Sequence, residues 1–373
     1  MTKRTIAPAV IAVAAMALAG DLTTWAAAQS DAARLIYDSA ATVETNIAGV
    51  RTFPSPSADF QPLKASDEAL AMYGFPPRPD KQANPHGYAV WERAMMGAKK
   101  RWNGELKPHP AAMSHPMQLA KHQFPHSNAS GTPVTYNSVN WSGIANGNTL
   151  TQWNSKTSFN AVYSQFNVPV VQQAFDVCDG YYDWEVTWNG IDGFKNQTVL
   201  QGGSSSQAYC KNGSTAQYYY AWVEWWPSYP ILEQFSVNPG DDMYVETYAV
   251  SGGCNPGYVF VEDETSLAYG TYQLNWQTGP CLVGNSAEII VERPYGDNNN
   301  FYPLANYIWD FALSWDYEAK GTEFGPGLTT NETYLFDMTD DDGDQIISYP
   351  VAEGKYSVYF WDTGCAYTGG CTF

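Results

Sequence analysis

The 373-residue chain predicts an all-β body behind a partly helical leading segment. Two observations carry that expectation. From Asn137 onward, short runs rich in Val, Tyr, Trp, Phe and Thr alternate with clusters of Gly, Asn, Pro and Asp. This is the punctuation of strands and turns. Residues 159–168, 218–226, 243–250, 287–292 and 356–361 are clear examples. No strand–helix–strand rhythm interrupts them, so a sandwich or barrel is expected. The body has about 240 residues, enough for one large core.

The leading segment differs in every respect. Lys3 and Arg4 precede an apolar run over residues 6–20, which is short for a bilayer span. Ala26, Ala27 and Ala28 stand before Gln29 as a small-residue cleavage site, so residues 1–28 read as a secretory signal peptide. Residues 67–73 and 88–102 have helical composition. Pro-rich breaks lie between and after them, at Pro76, Pro77, Pro79, Pro108, Pro110, Pro116 and Pro125. Residues 29–130 are expected to be a propeptide, and residues 131–373 the working domain.

Charge divides at the same place. Residues 1–130 carry 13 Lys and Arg against 10 Asp and Glu; residues 131–373 carry 6 against 28, a net of −22. An acidic body offers no phosphate-binding surface, which excludes nucleic acid as a partner. It is repelled by anionic membranes, and no later apolar stretch approaches a transmembrane length. Once carboxylates protonate, few positive charges remain to drive the body apart, which suits work in acid. All six cysteines (Cys178, Cys210, Cys254, Cys281, Cys365 and Cys371) lie in the body. An even count behind an export signal points to disulfides, and the sequence leaves their pairing open.

All five histidines (His86, His109, His115, His122 and His126) precede the body. A histidine-free body excludes Ser-His-Asp and Cys-His sites and the usual His-ligated zinc. Acid and base must come from carboxylates, amides, hydroxyls or lysines. Asp362-Thr363-Gly364 has the tripeptide of aspartic peptidases, but a strand end and turn explain it. Asp340-Asp341-Asp342-Gly343-Asp344 lacks the ends of a calcium loop and reads as a hairpin turn. In residues 286–292, alternation sends Ala287, Ile289 and Val291 to one face and Glu288, Ile290 and Glu292 to the other. Two carboxylates on one apolar face resist joint ionisation if that face is a cleft. Gln201 closes an apolar strand beside Gly202 and Gly203, and its amide can donate to an oxyanion at any pH. Trp222, Glu224 and Trp226 share a face suited to a peptide or a sugar.

In order, Asn140-Trp141-Ser142-Gly143, Trp188-x-Gly-Ile-Asp192-Gly, Val-Leu-Gln201-x-Gly, Ala-Trp-x-Glu224-Trp-x-Pro and Ala-Glu288-x-Ile-Val-Glu292 resemble the eqolisins, the glutamic endopeptidases. Pro303-Leu304-Ala305-Asn306-Tyr307 is similar to the family's closing strand. The resemblance implies a concanavalin-like sandwich of two antiparallel sheets, made with a signal and a propeptide and secreted as an acid-active endopeptidase. It implies a catalytic pair on Gln201 and Glu288. Trp141, Trp188, Asp192, Glu224 and Glu292 are expected around the substrate. Polypeptides are the expected substrates, the propeptide the expected inhibitor, and a monomer the expected state. No metal or cofactor is implied. Ser205 and Ser228 depart from acidic residues common in the family, which bears on pH optimum more than on the reaction. The rival readings are a β-sandwich glycoside hydrolase using Glu224 and Glu288, or a carbohydrate-binding module. The leader's basic residues and histidines are expected to dock on the acidic body near neutrality and to loosen in acid.

Overall fold

The computed structural model describes residues 37 and 40–364, except 111, 124–132, 174–177, 297–299, 309–310, 320–321, 324–332 and 354–355. The expected signal segment, Cys365 and Cys371 lie outside the described residues.

The body is a sandwich of two antiparallel sheets. The front sheet is built on five strands: β1 (Trp141–Gly147), β2 (Asp179–Ile191), β3 (Val199–Lys211), β4 (Ser214–Trp226) and β5 (Ser286–Glu292). Their spatial order is β1, β5, β2, β3, β4, with every neighbour antiparallel. Thr333–Thr339 extends it beside β1 and Ile231–Ser236 beside β4. The back sheet runs through Phe311–Ala319, Ala161–Asn167, Asp242–Tyr248, Gly257–Asp263 and Ala268–Leu274.

Alternation decides which residues fill the space between the sheets. Ile191, Leu200, Val223, Trp225, Ala287, Ile289 and Val291 meet Val162, Phe166, Met243, Val245, Val259 and Val261 there. The expected split of residues 286–292 is therefore the observed one. Polar groups tie the sheets across the core at Asn189: its amide donates to Ser164 Oγ and to the Val245 carbonyl, each at 2.8 Å, and its carbonyl accepts from the Thr247 hydroxyl at 3.4 Å. A buried amide needs such partners, so it ties the two sheets in one register. At Gly203 the β3 backbone passes so close to β2 that a Cβ would lie 2.0 Å from the Thr187 carbonyl oxygen. That atom is backbone and cannot swing away. Gly203→Ala is expected to cost about 3 kcal/mol or more by overpacking, read as a shifted urea-denaturation midpoint of the full chain.

The leader folds against the body over its whole described length. Helix α1 (Asp67–Met72) starts at Ser66, whose side chain accepts from the Ala69 N–H. Helix α2 (Pro85–Gly97) starts at Asn84, which accepts from the Gly87 N–H at 2.7 Å, with Pro85 in the first turn. The α2 face bearing Val90, Trp91, Ala94 and Met95 covers Tyr163, Tyr244, Phe260 and Tyr269 on the outside of the back sheet. The helix expected over residues 88–102 ends at Gly97 because a β-ladder competes for the rest. Lys100–Arg101 pairs in parallel with Ala268 and Tyr269. From there the leader crosses to the front sheet. Lys107–His109 pairs with Ile231–Ser236, and Ala112–Met113 with Tyr295–Gly296.

Among the described residues two disulfides are present, Cys178–Cys210 and Cys254–Cys281. Residues 340–344 form the expected hairpin turn: the Gly343 N–H donates to the Asp340 carbonyl, and Gly343 has φ +78°. Asp362 accepts the N–H groups of Tyr307 and Gly364, as a buried turn does. No helix among the described residues is long and apolar enough to cross a membrane.

Candidate active site

The other face of the front sheet carries the candidate chemistry. Register puts Gln201 of β3 opposite Glu224 of β4 and opposite Gly190 of β2, and Gly190 opposite Glu288 of β5. Directly opposed residues share a face, so Gln201, Glu224 and Glu288 form one row. Glu292, two positions of the same parity further along β5, lies opposite Trp141 of β1 and Val186 of β2. Trp141, Trp188, Trp222, Val186 and Ile290 supply an apolar floor. Gln201, Glu224, Glu288 and Glu292 are all fully buried.

A strap from the leader, residues 112–117, closes this groove. The Gln201 amide donates to Glu224 Oε2 at 2.8 Å. The Ser114 N–H donates to the same oxygen at 3.2 Å. The Ser114 hydroxyl lies 3.3 Å from Gln201 Oε1 and against Glu292 Oε2. The His115 N–H and the Asn140 amide donate to Glu292 Oε1 at 2.8 and 3.1 Å. The Trp188 indole donates to Glu292 Oε2 at 2.9 Å, and the Trp141 indole to the His115 carbonyl at 2.9 Å. One hydroxyl thus touches both the amide and a carboxyl group.

The expected partner of Gln201 is Glu288. By backbone register Glu288 is the nearer of the two acids, since both it and Gln201 flank Gly190. Neither oxygen of Glu288 makes a hydrogen bond among the described residues; the Ser286 hydroxyl and the Asp192 carboxyl are the polar groups that act on it. Glu292 is the acid that shares Ser114 with Gln201. Glu224, expected to line the groove, binds Gln201 directly. Asp192 plays a supporting part: its carboxyl accepts the N–H groups of Val283, Gly284 and Asn285 at 2.6–3.0 Å and fixes the turn entering β5. Ser205 stands where the resemblance implies an acid, and its hydroxyl accepts from the Trp184 indole at 2.6 Å.

The electrostatics follow from burial. Desolvation, then the nearby Glu292, pushes Glu224 well above the ordinary carboxylate range. Desolvation pushes Glu292 up to about 8, although four donors, His115 N–H, Ser114, Asn140 and Trp188, oppose it. Glu288 is raised by burial and then by Asp192. Under the strap burial therefore favours the protonated form of all three acids, and Glu292 keeps its proton at neutral pH. Acids held neutral beside a polar amide are what general acid–base chemistry needs.

Sequence reasoning missed Ser114, His115 and Tyr295. No local signal marks them, because a strap's position depends on pairing between Met113 and Tyr295, far apart in the chain. Asn140 was visible as part of a motif, without its role.

A histidine-free groove on a β-sandwich, floored by tryptophans and lined by an amide and buried carboxyls, defines a hydrolase that works with acids rather than imidazole. The Peptidase A4 family matches residues 139–350, so the chain belongs to that family of glutamic peptidases, hydrolases of peptide bonds. Among solved structures it is similar to scytalido-glutamic peptidase bound to a transition-state-analogue inhibitor, at 20% identity and a TM-score of 0.46, over 60% of this chain and 98% of that one. It is similar to SCP-B of the eqolisin family, in complex with the tripeptide Ala-Ile-His, at 20% identity, a TM-score of 0.45 and the same coverage. Aspergilloglutamic peptidase from Aspergillus niger matches at 21% identity and a TM-score of 0.38, over 48% of this chain and 99% of that one. No curated protein matches the chain.

Proposed function

We propose that the protein is a secreted, acid-active endopeptidase, made as a zymogen, in which Gln201 and Glu292 act on one water. The observation that carries this is the Ser114 hydroxyl, held between Gln201 and Glu292 where an attacking water would stand. With the strap lifted, water takes that place. Glu292 removes a proton as the water oxygen bonds to the peptide carbonyl carbon. The Gln201 amide donates to the oxyanion so formed. Glu292 then returns the proton to the amine nitrogen as the C–N bond breaks. Trp188 and Asn140 orient the Glu292 carboxyl, and Glu224 orients the Gln201 amide. Once water enters the groove, the pKa of Glu292 falls toward the ordinary carboxylate range, so part of it is ionised in acid. Glu288 is left without a direct part in these steps. The acid balance of the body, the export signal and the disulfides support secretion. The leader over residues 29–130 is the inhibitor, and the Ser114 hydroxyl is its contact with the catalytic pair.

The experiment is hydrolysis of denatured protein by the full chain before and after acidification. Acid should switch on peptide release; none at any pH would end the peptidase reading. Ser114→Ala removes one hydrogen bond to a neutral carboxyl group, about 0.5–1.5 kcal/mol of strap docking. Activity before acidification is then expected to rise about twofold to tenfold. Unchanged latency in this variant would remove Ser114 from the inhibitory contact.

A further inference from the structure

We propose that Trp226 and Tyr295 form a cage that selects a flat ring, imidazole or phenyl, on the substrate residue next to the scissile bond. This rests on the peptidase reading above and names the side chain that such a peptidase prefers.

The strap marks the path of a peptide through the groove. Ala112–Met113 adds to Tyr295–Gly296 as an antiparallel strand, with Met113 opposite Tyr295. Main-chain pairing of this kind binds any sequence; choice between sequences is left to the side-chain pockets. Ala112 and Ser114 are fully buried, so the groove floor at those positions takes small groups. The next side chain, His115, enters a different environment. Its ring centroid lies 4.5 Å from that of Trp226 and 4.9 Å from that of Tyr295, with interplanar angles of 52° and 49°. Two tilted rings at these separations attract a third through their quadrupoles.

Both walls belong to the body: Trp226 is held by the β4 ladder, and Tyr295 by Phe301 as well as by the strap. Trp226 ends β4 and pairs with Val199. Tyr295 packs edge-on against Phe301 at 5.2 Å. The Trp226 indole N–H is buried and has no hydrogen-bond partner in the described residues, so the cage holds a donor beside its apolar walls. The His115 N–H donates to Glu292, so the caged residue is adjacent to the catalytic pair. An acidic side chain here would have to give up its hydration between two apolar rings. A leucine fills the space without the ring contacts.

Two arms test this. The first needs no activity: amide hydrogen exchange of residues 112–117 in the full chain carrying His115, Phe, Leu or Asp at position 115. His115→Phe should keep strap protection within about twofold, and His115→Leu and His115→Asp should lower it about tenfold. In the second, acid-treated protein cleaves peptide pairs that differ only in a ring or a leucine next to the cleaved bond. The ring peptide should have the higher kcat/KM by about tenfold, and Trp226→Ala or Tyr295→Leu should bring the ratio near one. Equal protection by Leu and Phe, or a ring preference unchanged in both cage variants, overturns the cage. If no peptide is cleaved by the wild type, the peptidase reading fails, and the exchange arm still decides the cage.

Discussion

Glu292→Gln is expected to lower kcat/KM of the acid-treated protein by about 10³-fold or more, whereas Glu288→Gln retains activity within a few-fold. The contrast is informative because the two substitutions are chemically identical, on one strand and one face, four residues apart. Each replaces a carboxyl with a near-isosteric amide. At Glu288 burial already favours the neutral acid, and no described hydrogen bond depends on it, so the fold loses little. At Glu292 the amide oxygen can accept from Asn140 and the His115 N–H, and the Trp188 indole then faces the amide NH2 without an acceptor, a cost of about 1–3 kcal/mol. What is also lost is the ability to take a proton from water. Far-UV circular dichroism should match the wild type in both variants, and the unfolding midpoint should fall only in Glu292→Gln, so activity is compared on protein shown to be folded. The opposite ranking, an inert Glu288→Gln and an active Glu292→Gln, would return the base to Glu288 and mean that the side chain swings toward Gln201 when substrate binds.

This pair also shows how far the sequence was legible. Alternation along residues 286–292 correctly sends both glutamates to the groove face, because a period of two is local information. It does not choose between them. The resemblance selects Glu288, the acid that follows the small residue in its motif, and in the fold Glu288 is also in register with Gln201 across Gly190. The side-chain directions, and the strap that brings Ser114 between Gln201 and Glu292, come from contacts between distant segments. Strands were readable from Val, Tyr and Trp runs punctuated by Gly and Asn. The end of α2 was not, since Lys100–Arg101 leaves helix only because Ala268–Leu274 offers it an edge. His115 was visible as one of five leader histidines; its place between Trp226 and Tyr295 depends on the fold of both segments.

Docking of the strap is expected to be tightest at intermediate pH and to weaken on both sides. Glu233 sets the acid limb, and Glu292, with Glu224 raised beside it, sets the alkaline one with the opposite sign. On the edge of the front sheet Glu233 accepts from Lys107 at 2.7 Å and lies 2.9 Å from His109 Nε2, while the Tyr218 hydroxyl donates to it. Burial alone would raise its pKa, but the hydrogen bonds from Lys107, Tyr218 and His109 outweigh burial and hold it below the ordinary value. A depressed carboxylate stabilises the docked form above its free pKa, and that contribution is lost as pH falls through the lowered one. Acid therefore unlocks the leader at Lys107 and His109, in the direction the leader's charge predicts. Glu292 behaves in reverse. Its pKa under the strap is about 8, above the value expected once water reaches it. A raised group favours docking fully below its free pKa, and the benefit disappears as pH rises through about 8. Between the two values each pH unit changes the docking constant by up to about tenfold. Hydrogen exchange of residues 107–117 in the full chain, measured from about pH 3 to about pH 9, should give a protection maximum. Glu233→Gln should flatten the acid limb and leave the alkaline one. Glu292→Gln should weaken the alkaline limb, which it shares with Glu224, and leave the acid one. A profile that changes monotonically in the wild type, or keeps its acid limb in Glu233→Gln, would place the acid trigger elsewhere in the leader and free Glu233 from that role.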